Sequence, residues 1–550
     1  MKLNKLLYVV PLAALIIGAG AGCTKSQFNV NRDINNPTDS TVTYDVVLPA
    51  AMHASGSIVA RQWGPIQNWM SYWSRSGTYA PNVTEETYQI TTAFGNGIWN
   101  NCYDNNYDYQ IVQIKAKAAG AGFYEGIARI MKSHNFQILV DVYGNVPYSE
   151  ALKGSGNPTP KYDKGVDIYK ALFREIDAGM LLIKDAVVSA TNSNKNIATN
   201  DIMFGGNKTL WRKFGNTLKL RLLIHAYAVG AIDKAAEMAI INTDGSGFLG
   251  AGENAQINPG YSALDKANPF FNQYITNADG SASANNVYYK ANEWGIEYYK
   301  SKGDPRVTNT VVPGTGGRFY LAGSGGLVGV KYGLPPVATY AASVLAGIGP
   351  GVFKTVTASQ CVLSASESFF LQAEARQRNI ITSGPSAAVL LNTAIEENFT
   401  YVGVPTPVAA TASYRAANSG RPDVDYNGVA QGPGGPVGGL YTILSQKWFA
   451  MNAINTLEIW TDWRRVPYTE VATNLISTAA ANDAPADRFV YGDGAGYSAG
   501  PFRSVSPQIT PADNIPVRYL YPQTEYNYNA ANVGAEGTIT RYSRIFWDLN

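Results

Sequence analysis

The chain has 550 residues, with 43 Lys and Arg against 41 Asp and Glu, and its formal net charge is +2 at pH 7. This balance argues against a nucleic-acid-binding protein, which needs a basic face to neutralise phosphates. Charged residues make up only 15% of the chain and aromatic residues 12%, including 35 Tyr and 10 Trp. A surface that is polar, uncharged and aromatic suits uncharged ligands such as glycans.

The N-terminus has the features of a bacterial lipoprotein signal. Lys2 and Lys5 precede an apolar run at 6–17 and small residues at 18–22, and Cys23 follows. The apolar run is shorter than the ~20 residues of a bilayer span, so we predict a signal peptide at 1–22. Cys23 is predicted to become the acylated first residue of the mature chain, although Gly20 stands where such signals usually have Leu. The alternative is an ordinary signal peptide that a cysteine happens to follow.

Residues 24–60 are rich in Asn, Asp and Thr, which predicts an extended leader at 23–60 before a single domain at 61–550. Helical periodicity begins near residue 96. One apolar stripe precedes a glycine-containing break at 120–122 and another follows it, which predicts two helices joined as a hairpin. The first stripe consists of Ile111, Ile114 and Ala118, and the second of Phe123, Ile127, Ile130, His134 and Ile138.

Similar stripes recur, and they predict helix pairs near 99–140, 165–228, 365–400 and 440–460. One of them consists of Ile168, Leu172, Ile176, Met180 and Ile183. Stretches at 245–360, 401–440 and 473–512 are instead rich in Gly and small polar residues, and long ordered loops of this kind are usually functional. We therefore predict a mainly α-helical fold, in which a tetratricopeptide-like helical-repeat scaffold carries a loop-rich ligand-binding part.

Several short motifs follow one another along the chain in the order found in the SusD/RagB family of outer-membrane nutrient-binding lipoproteins. They are Asp-Val-Tyr-Gly-Asn-Val-Pro-Tyr at 141–148, Glu-Ser-Phe-Phe-Leu-Gln-Ala-Glu-Ala at 367–375, Gln-Lys-Trp at 446–448 with Glu458 and Arg465 downstream, and Asn-Ile-Pro-Val-Arg-Tyr-Leu-Tyr-Pro at 514–522. Asn145 stands where the family usually has Asp. Because these motifs and Cys23 cover almost the whole chain in order, the chain resembles a member of this family.

The resemblance implies a fold and a function. Such proteins are largely α-helical, with tetratricopeptide-like helix pairs and a loop-rich part that holds the ligand. They are lipid-anchored in the outer membrane, sit as a lid on a SusC-like TonB-dependent transporter, and are not enzymes. They bind oligosaccharides, or peptides in some branches. Residues 24–27 lack the acidic residues that often follow the cysteine in surface-exported members, so surface exposure rests on the resemblance alone.

No pattern of catalytic or metal-binding residues supports an enzyme. Gly-Tyr-Ser-Ala-Gly at 496–500 matches a nucleophile elbow, but Pro501 follows it instead of a helix, and no His lies downstream. The His residues have no metal-ligand spacing, so we expect neither a metal nor a cofactor. His134 and His225 fall on apolar helical faces and are predicted to be core residues.

Two further sets of residues are predicted to be structural. Buried charges need partners on neighbouring helices, and we assign this role to four residues of the family motifs. They are Glu374, Glu458, Arg464 and Arg465. Beyond Cys23, only Cys102 and Cys361 remain, which is too few for a disulfide framework. We predict that they are small buried residues, and a single bridge between them stays open.

Two aromatic clusters, at 63–79 and 288–299, are the candidates for the ligand site. Sugar rings have an apolar face of C–H groups that packs on aromatic planes, and their hydroxyls need polar side chains nearby. Trp73, Tyr79 and Trp294 are predicted to be exposed stacking rings, because their neighbours are polar or glycine. The side chains expected around them are Arg75, Tyr289 and Asn292. The alternatives are that these rings belong to the core, or that a helix running on through 298–299 buries Trp294.

The leading functional hypothesis is an outer-membrane lipoprotein that binds oligosaccharides and hands them to a TonB-dependent transporter. One alternative is the same scaffold with an oligopeptide as its ligand, and another is a chiefly structural lid.

Overall fold

The computed structural model describes residues 42–61, 63–263, 266–277, 279–308, 317–429, 438–466, 503–510 and 513–548. Helix makes up 52% of the structure, which is above the ~30–35% of an average globular protein. The predicted mainly α-helical class is therefore confirmed. The signal peptide and Cys23 lie outside the described residues, as do most of the predicted loop at 473–512 and the elbow-like motif at 496–500.

Long helices supply most of the structure. They are α1 (Tyr44–Arg61), α4 (Asn96–Ala118), α5 (Gly122–Tyr143), α6 (Gly165–Asp185), α8 (Lys208–His225), α9 (Lys234–Asp244), α14 (Ala365–Gln377), α15 (Ala387–Val402), α16 (Pro407–Ala417), α17 (Leu440–Met451) and α18 (Thr456–Arg465). Shorter helices are α2 (Gly64–Trp69), α3 (Val83–Glu86), α7 (Ile197–Asn200), α10 (Pro269–Tyr274), α11 (Ala284–Tyr288), α12 (Glu293–Ser301), α13 (Pro350–Phe353), α19 (Gln523–Tyr528) and α20 (Ala530–Ala535).

The strands are short and pair as two-stranded antiparallel ribbons. They are β1 (Trp73–Arg75) with β5 (Tyr289–Ala291), β2 (Val146–Pro147) with β3 (Tyr162–Asp163), β4 (Ala255–Ile257) with β8 (Gln360–Leu363), and β6 (Tyr320–Leu321) with β7 (Gly347–Ile348). Half of them, β4 to β7, lie in the segment 245–360, and β8 begins at its last residue.

The helices form a layered scaffold. Helix α4 packs on α5, α5 on α6, and α6 on α8, while α14 packs on α15, α17 and α8. Gly120 allows the tight turn between α4 and α5, because its φ of +68° lies in the left-handed region. Helix α6 shows how the sequence directs packing: the apolar stripe from Ile168 to Ile183 repeats at helical spacing, and all of its members are buried.

The face assigned to helix α4 from the sequence is wrong. Ile114, a member of the predicted stripe, is 59% exposed. The buried face instead carries Trp99, Cys102, Asn105 and Tyr109. It packs against α1, where polar groups satisfy one another, so a stripe defined by aliphatic residues alone missed it.

The predicted extended leader is also wrong over its second half. Residues Tyr44–Arg61 form helix α1, which packs on α4, and Leu48, Ala51 and Met52 are fully buried. The helix is fixed by polar contacts as well: Asn105 donates a 2.8 Å hydrogen bond to the carbonyl oxygen of Ala51. Similarly, the predicted loop at 401–440 contains an 11-residue helix, α16.

A network of buried charges joins the helices of the family motifs. Glu374 on α14 accepts 2.7 Å hydrogen bonds from Arg465 on α18 and from Arg378. Burial opposes ionisation of Glu374, but the two guanidinium groups hold its pKa well below the usual range. Arg464 donates to the carbonyl oxygens of Asp141 at 2.6 Å and of Val517 at 3.0 Å. These residues connect elements, as predicted for partners of buried charges.

His225 occupies the centre of the same network. Its Nδ1 lies 3.2 Å from Asp141 and its Nε2 lies 3.0 Å from Glu458, and all three side chains are buried. Burial opposes protonation, but the two carboxylates raise the pKa of His225 to about 9. His134 is buried as well, and there burial lowers the pKa to about 4. Both are core residues, as the sequence predicted.

One question left open by the sequence is answered by the packing. Cys102 and Cys361 are both buried free thiols, so they do not form a bridge. Among the described residues, no helix combines the length and the apolar character that crossing a membrane requires.

Candidate functional site

The two aromatic segments singled out in the sequence meet in the β1–β5 ribbon. Trp73 pairs with Ala291, Ser74 with Lys290, and Arg75 with Tyr289 in antiparallel register. The ribbon brings the segment before the helical repeats next to the segment in the loop-rich middle. Side chains alternate between its two faces, so only some of the predicted residues can reach the surface.

Trp73 does not reach it, and its prediction as an exposed stacking ring is wrong. The side chain is 1% exposed. Its ring packs against Tyr274 and Phe270 of α10 and against Tyr289, with ring-centroid distances of 5.1, 6.4 and 5.4 Å. Trp73 therefore anchors the ribbon to the core.

Arg75 and Asn292 are buried too, and the side chains of both form hydrogen bonds with backbone groups. Arg75 forms a 2.6 Å ion pair with Glu86 and donates to the carbonyl oxygens of Tyr79 and Leu334 at 2.5 and 2.7 Å. Asn292 caps helix α12, because its Oδ1 accepts hydrogen bonds from the backbone N–H groups of the first turn. The guanidinium group of Arg75 and the amide oxygen of Asn292 are therefore already engaged within the protein.

Trp294 lies in helix α12 and is half-buried. Its ring contacts Tyr298 and Trp448 at centroid distances of 5.0 and 5.6 Å. The expected loop is therefore wrong, and the alternative of a helix through 298–299 that partly buries Trp294 is confirmed. Asn292, one of the polar neighbours that suggested a loop, is the cap of this helix.

We define the tyrosine patch as Tyr79, Tyr288 and Tyr340, three residues that lie next to the β1–β5 ribbon but outside its strands. All three side chains are partly exposed. The rings of Tyr79 and Tyr288 meet edge to face with centroids 5.3 Å apart. Tyr340 lies beside Gly77, whose N–H donates a 2.9 Å hydrogen bond to the Tyr340 carbonyl oxygen. A side chain at position 77 would strike Tyr340, so the close approach requires glycine. Tyr289 is also partly exposed, but its ring packs on Trp73 beneath the patch.

The buried carboxyl group of Glu85 is connected to the tyrosine patch through Asn82. Glu85 accepts hydrogen bonds from Asn68 at 2.6 Å, from Asn82 at 3.1 Å and from Tyr332 at 3.3 Å. Burial raises the pKa of Glu85 to about 7, with the neighbouring Glu86 adding to the shift. Asn82 is exposed and its side chain lies beside Tyr288, so it links the carboxyl to the patch.

The tyrosine patch and Asn82 form an arrangement that can bind a ligand. Partly exposed rings beside amide groups can hold a molecule that has both apolar faces and hydroxyl groups. Among the described residues, no cluster of His, Cys, Asp and Glu could hold a metal ion. Two clefts of about 610 and 770 Å³ lie elsewhere, the first beside Arg318 and Tyr414 and the second beside Tyr227 and Arg378.

The predicted site residues thus divide into two groups. Tyr79 lies on the patch, and Trp73, Arg75 and Asn292 are buried. Tyr289 and Trp294 are partly exposed, as Tyr79 is, but their rings pack on Trp73 and on Tyr298 and Trp448, respectively. Tyr288 and Tyr340 were missed as site residues. Tyr288 belongs to the aromatic cluster at 288–299, so its neighbours signalled it. Tyr340 stands alone in a loop, and only the contact with Gly77 identifies it.

The comparisons with known proteins point to one family. A SusD-like family model, described as starch-binding and associating with the outer membrane, matches residues 44–492. No curated protein matches the chain. A SusD homologue from Bacteroides fragilis is 19% identical, with a TM-score of 0.65 over 92% of this chain and 99% of that chain.

Two further solved structures have similar folds. A chitin-binding SusD homologue from Flavobacterium johnsoniae is 19% identical, with a TM-score of 0.65 over 92% of this chain and 99% of that one. A SusD/RagB family protein from Bacteroides thetaiotaomicron is 17% identical, with a TM-score of 0.66 over 93% and 100% of the two chains. At such low identity the likeness is one of fold.

Proposed function

Because the chain belongs to the SusD-like family, we propose that it is an outer-membrane lipoprotein that binds oligosaccharides and hands them to a partner TonB-dependent transporter. The family is described as starch-binding and associating with the outer membrane. The identity of the sugar, the transfer to a SusC-like transporter and the lipid anchor at Cys23 belong to the proposal.

The observation that carries the glycan assignment is the tyrosine patch. Tyr79 and Tyr288 present partly exposed rings whose planes meet at 76°, which suits the apolar faces of a sugar chain that curves or changes direction. Asn82 supplies an exposed amide next to them, as a sugar hydroxyl requires. Aromatic side chains with polar tips are typical of such half-wet sites.

The function that we propose is ligand binding without catalysis. Its large set of buried carboxylates and cations serves to join helices, as in the pairs of Glu374 with Arg465 and of Glu458 with His225. A glycoside hydrolase would need paired carboxyl groups facing a ligand pocket. At the patch, the carboxyl of Glu85 is enclosed behind Asn68, Asn82 and Tyr332.

An oligopeptide is the second candidate ligand, because it was the alternative implied by the family resemblance. Peptides are typically held by backbone hydrogen bonds along an exposed strand edge. On the outer edge of strand β5, the N–H of Ala291 donates a hydrogen bond to the carbonyl oxygen of Ala346. The carbonyl oxygen of Ala291 accepts another from the N–H of Val330. One side of the ribbon is therefore already occupied, which favours the glycan.

The test is calorimetric titration of the purified mature protein with neutral oligosaccharides of glucose and of N-acetylglucosamine, and with a mixture of random oligopeptides at equal mass. We expect saturable binding to an oligosaccharide and none to the peptides. Saturable binding to the peptides alone would contradict the proposal and favour the second candidate. Absence of binding to any glycan across a broader array would contradict it as well.

A further inference from the structure

Arg75, the last residue of strand β1, uses its whole guanidinium group within the protein. The residue is 3% exposed, and a guanidinium group has five N–H donors. Its Nε and Nη2 donate to the two carboxylate oxygens of Glu86 at 2.6 and 3.4 Å. Its Nη1 donates to the carbonyl oxygens of Ser76 and Tyr79 at 3.4 and 2.5 Å, and Nη2 also donates to that of Leu334 at 2.7 Å. Five hydrogen bonds therefore account for the five donors.

The oxygens that accept these hydrogen bonds belong to three separate segments around the tyrosine patch. The carbonyl group of Tyr79 lies in the turn that follows β1. Glu86 ends helix α3, and the cap at the start of that helix is Asn82. Leu334 stands at the start of the loop that leads to Tyr340. One guanidinium group thus joins the segments that carry two rings of the patch and the amide beside it.

The loop that carries Tyr340 is fixed at both of its ends. At its far end, the N–H of Val337 donates a 2.7 Å hydrogen bond to the carbonyl oxygen of Gly77, and the N–H of Gly77 donates to that of Tyr340 at 2.9 Å. At its near end, Leu334 is held by Arg75. The backbone of one residue and the side chain of another therefore place this loop against the turn after β1.

These contacts require an arginine and not merely a positive charge. The guanidinium group is planar, and its three nitrogen atoms point in fixed and different directions. A lysine has a single ammonium nitrogen, which can pair with Glu86 but cannot take the place of three nitrogen atoms that face three segments. Lysine at position 75 would thus keep the charge of the buried pair and lose the connection between the segments.

We propose that Arg75 is a positioning residue of the glycan site, which holds Tyr79, Tyr340 and Asn82 in the arrangement that the ligand needs. It does so through protein atoms and without touching the ligand. This inference rests on the proposed glycan-binding function and names the residue that sets the geometry of its site. Loops that are ordered before the ligand arrives spare the binding reaction the cost of ordering them. A site that adopts the competent arrangement only part of the time loses apparent affinity by that fraction.

The experiment compares the wild-type mature protein with Arg75→Lys. Calorimetric titration uses the neutral oligosaccharide that the wild-type protein binds best, at a temperature well below the melting temperatures of both proteins. If the lysine leaves the competent arrangement populated about a tenth of the time, affinity falls about tenfold. We expect a loss of that size in Arg75→Lys. A thermal melt of each protein accompanies the titration, because a buried ion pair also contributes to stability.

Arg465→Lys is the matched control, because it makes the same change in an ion pair of the helical scaffold. The side chains of Arg465 and Glu374 are 2% and 1% exposed, as are those of Arg75 and Glu86. Arg465 donates to both oxygens of its partner at 2.7 Å. We expect Arg465→Lys to lower the melting temperature at least as far as Arg75→Lys and to bind the oligosaccharide with wild-type affinity.

A second variant tests whether Arg75 acts together with Glu86. Glu86→Gln keeps an oxygen that can accept a hydrogen bond from Nε but removes the negative charge, so it should weaken binding as well. The double variant should bind no more weakly than the weaker of the two single variants, because both changes loosen the same connection. If Arg75→Lys fails to fold, Glu86→Gln serves as the test in its place.

Wild-type affinity in Arg75→Lys together with a lowered melting temperature would overturn this inference, because the role of Arg75 would then be stability alone. Equal losses of affinity in Arg75→Lys and Arg465→Lys would overturn it too, since any loosening of the fold would then weaken binding. Either result leaves the proposed function standing. A wild-type protein that binds no glycan would contradict both proposals.

Discussion

Tyr79 and Tyr288 meet edge to face with ring centroids 5.3 Å apart, although Tyr79 precedes the helical repeats and Tyr288 lies in the loop-rich middle of the chain. The β1–β5 ribbon makes this contact possible, because its antiparallel register brings the two segments side by side. The scaffold of helices does not itself present these rings. It holds the ribbon, and Trp73 beneath the ribbon fixes its position.

Trp73→Ala should therefore destabilise the fold. The substitution leaves a cavity between the ribbon and α10, and truncation of a buried Trp typically costs ~3–5 kcal/mol of unfolding free energy. We expect a lower denaturation midpoint in urea and a lower melting temperature. The matched comparison is Tyr79→Ala, whose partly exposed ring should leave both nearly unchanged. Similar melting temperatures for the wild-type protein and Trp73→Ala would show that Trp73 is not a core residue.

His225→Gln should also destabilise, and in a pH-dependent way. The substitution removes the imidazolium that lies between the buried carboxylates of Asp141 and Glu458. Breaking a buried ion pair typically costs ~3–5 kcal/mol of unfolding free energy. Because the folded-state pKa of His225 is raised to about 9, its stabilisation is complete below about pH 6.5 and is lost as the pH rises through about 9.

Chemical denaturation at a series of pH values measures this effect. The difference between the wild-type protein and His225→Gln should shrink as the pH rises from 6 to 9.5. His134→Gln is the control, because burial lowers the pKa of His134 to about 4 and it is neutral throughout this range. A difference that stays constant from pH 6 to 9.5 would contradict the assignment of a protonated His225.

Glu85 should produce a second pH dependence with its own window. Burial raises the pKa of Glu85 to about 7, so the folded state holds this proton more tightly than the unfolded state. The stability that the protonated carboxyl provides is present below about pH 4.5 and is lost as the pH rises through about 7.

Glu85→Gln removes the cost of ionising this buried group, so it should raise the melting temperature at pH 8 and have little effect at pH 5. Thermal melts in matched buffers at the two values measure this. Glu297→Gln, on an exposed side chain, should show no such difference. A variant less stable than the wild-type protein at pH 8 would mean that the ionised carboxylate is the form that the fold requires.

Cys23→Ala should release the protein from the membrane. Cys23 is predicted to carry the acyl chains, and each buried CH₂ contributes ~0.8 kcal/mol to membrane binding. In cells that lack the partner transporter, we expect the variant in the soluble periplasmic fraction. Cys102→Ala changes a buried thiol and should stay with the membranes. A Cys23→Ala protein that still sediments with membranes would show that the anchor lies elsewhere.

The helical scaffold could be predicted because the helical spacing of apolar residues in the sequence indicates which face of a helix is buried. The stripe from Ile168 to Ile183 repeats at helical spacing, and every member is buried. The rule failed where a buried face is polar. On α4 the face towards α1 contains Asn105, whose side chain is satisfied by Ser55 and Ala51, whereas the aliphatic Ile114 is exposed.

The site could be predicted as two segments but not residue by residue. Trp73 has polar neighbours in sequence, yet its partners Tyr274 and Phe270 come from a distant helix that no local pattern reveals. Asn292 has the side chain that a sugar would need, but the start of α12 uses it as a cap.

The central claim, that the tyrosine patch binds a glycan, is tested most directly by calorimetric titration of Tyr79→Ala and Tyr288→Ala with the oligosaccharide that the wild-type protein binds best. Stacking on an exposed ring is worth ~1–3 kcal/mol for bases on aromatic side chains. By analogy, each variant should bind roughly five- to a hundred-fold more weakly, with an unchanged melting temperature. Tyr528→Ala, which removes a ring that is 77% exposed on α19, should bind as the wild-type protein does. Full affinity in both patch variants would contradict the account.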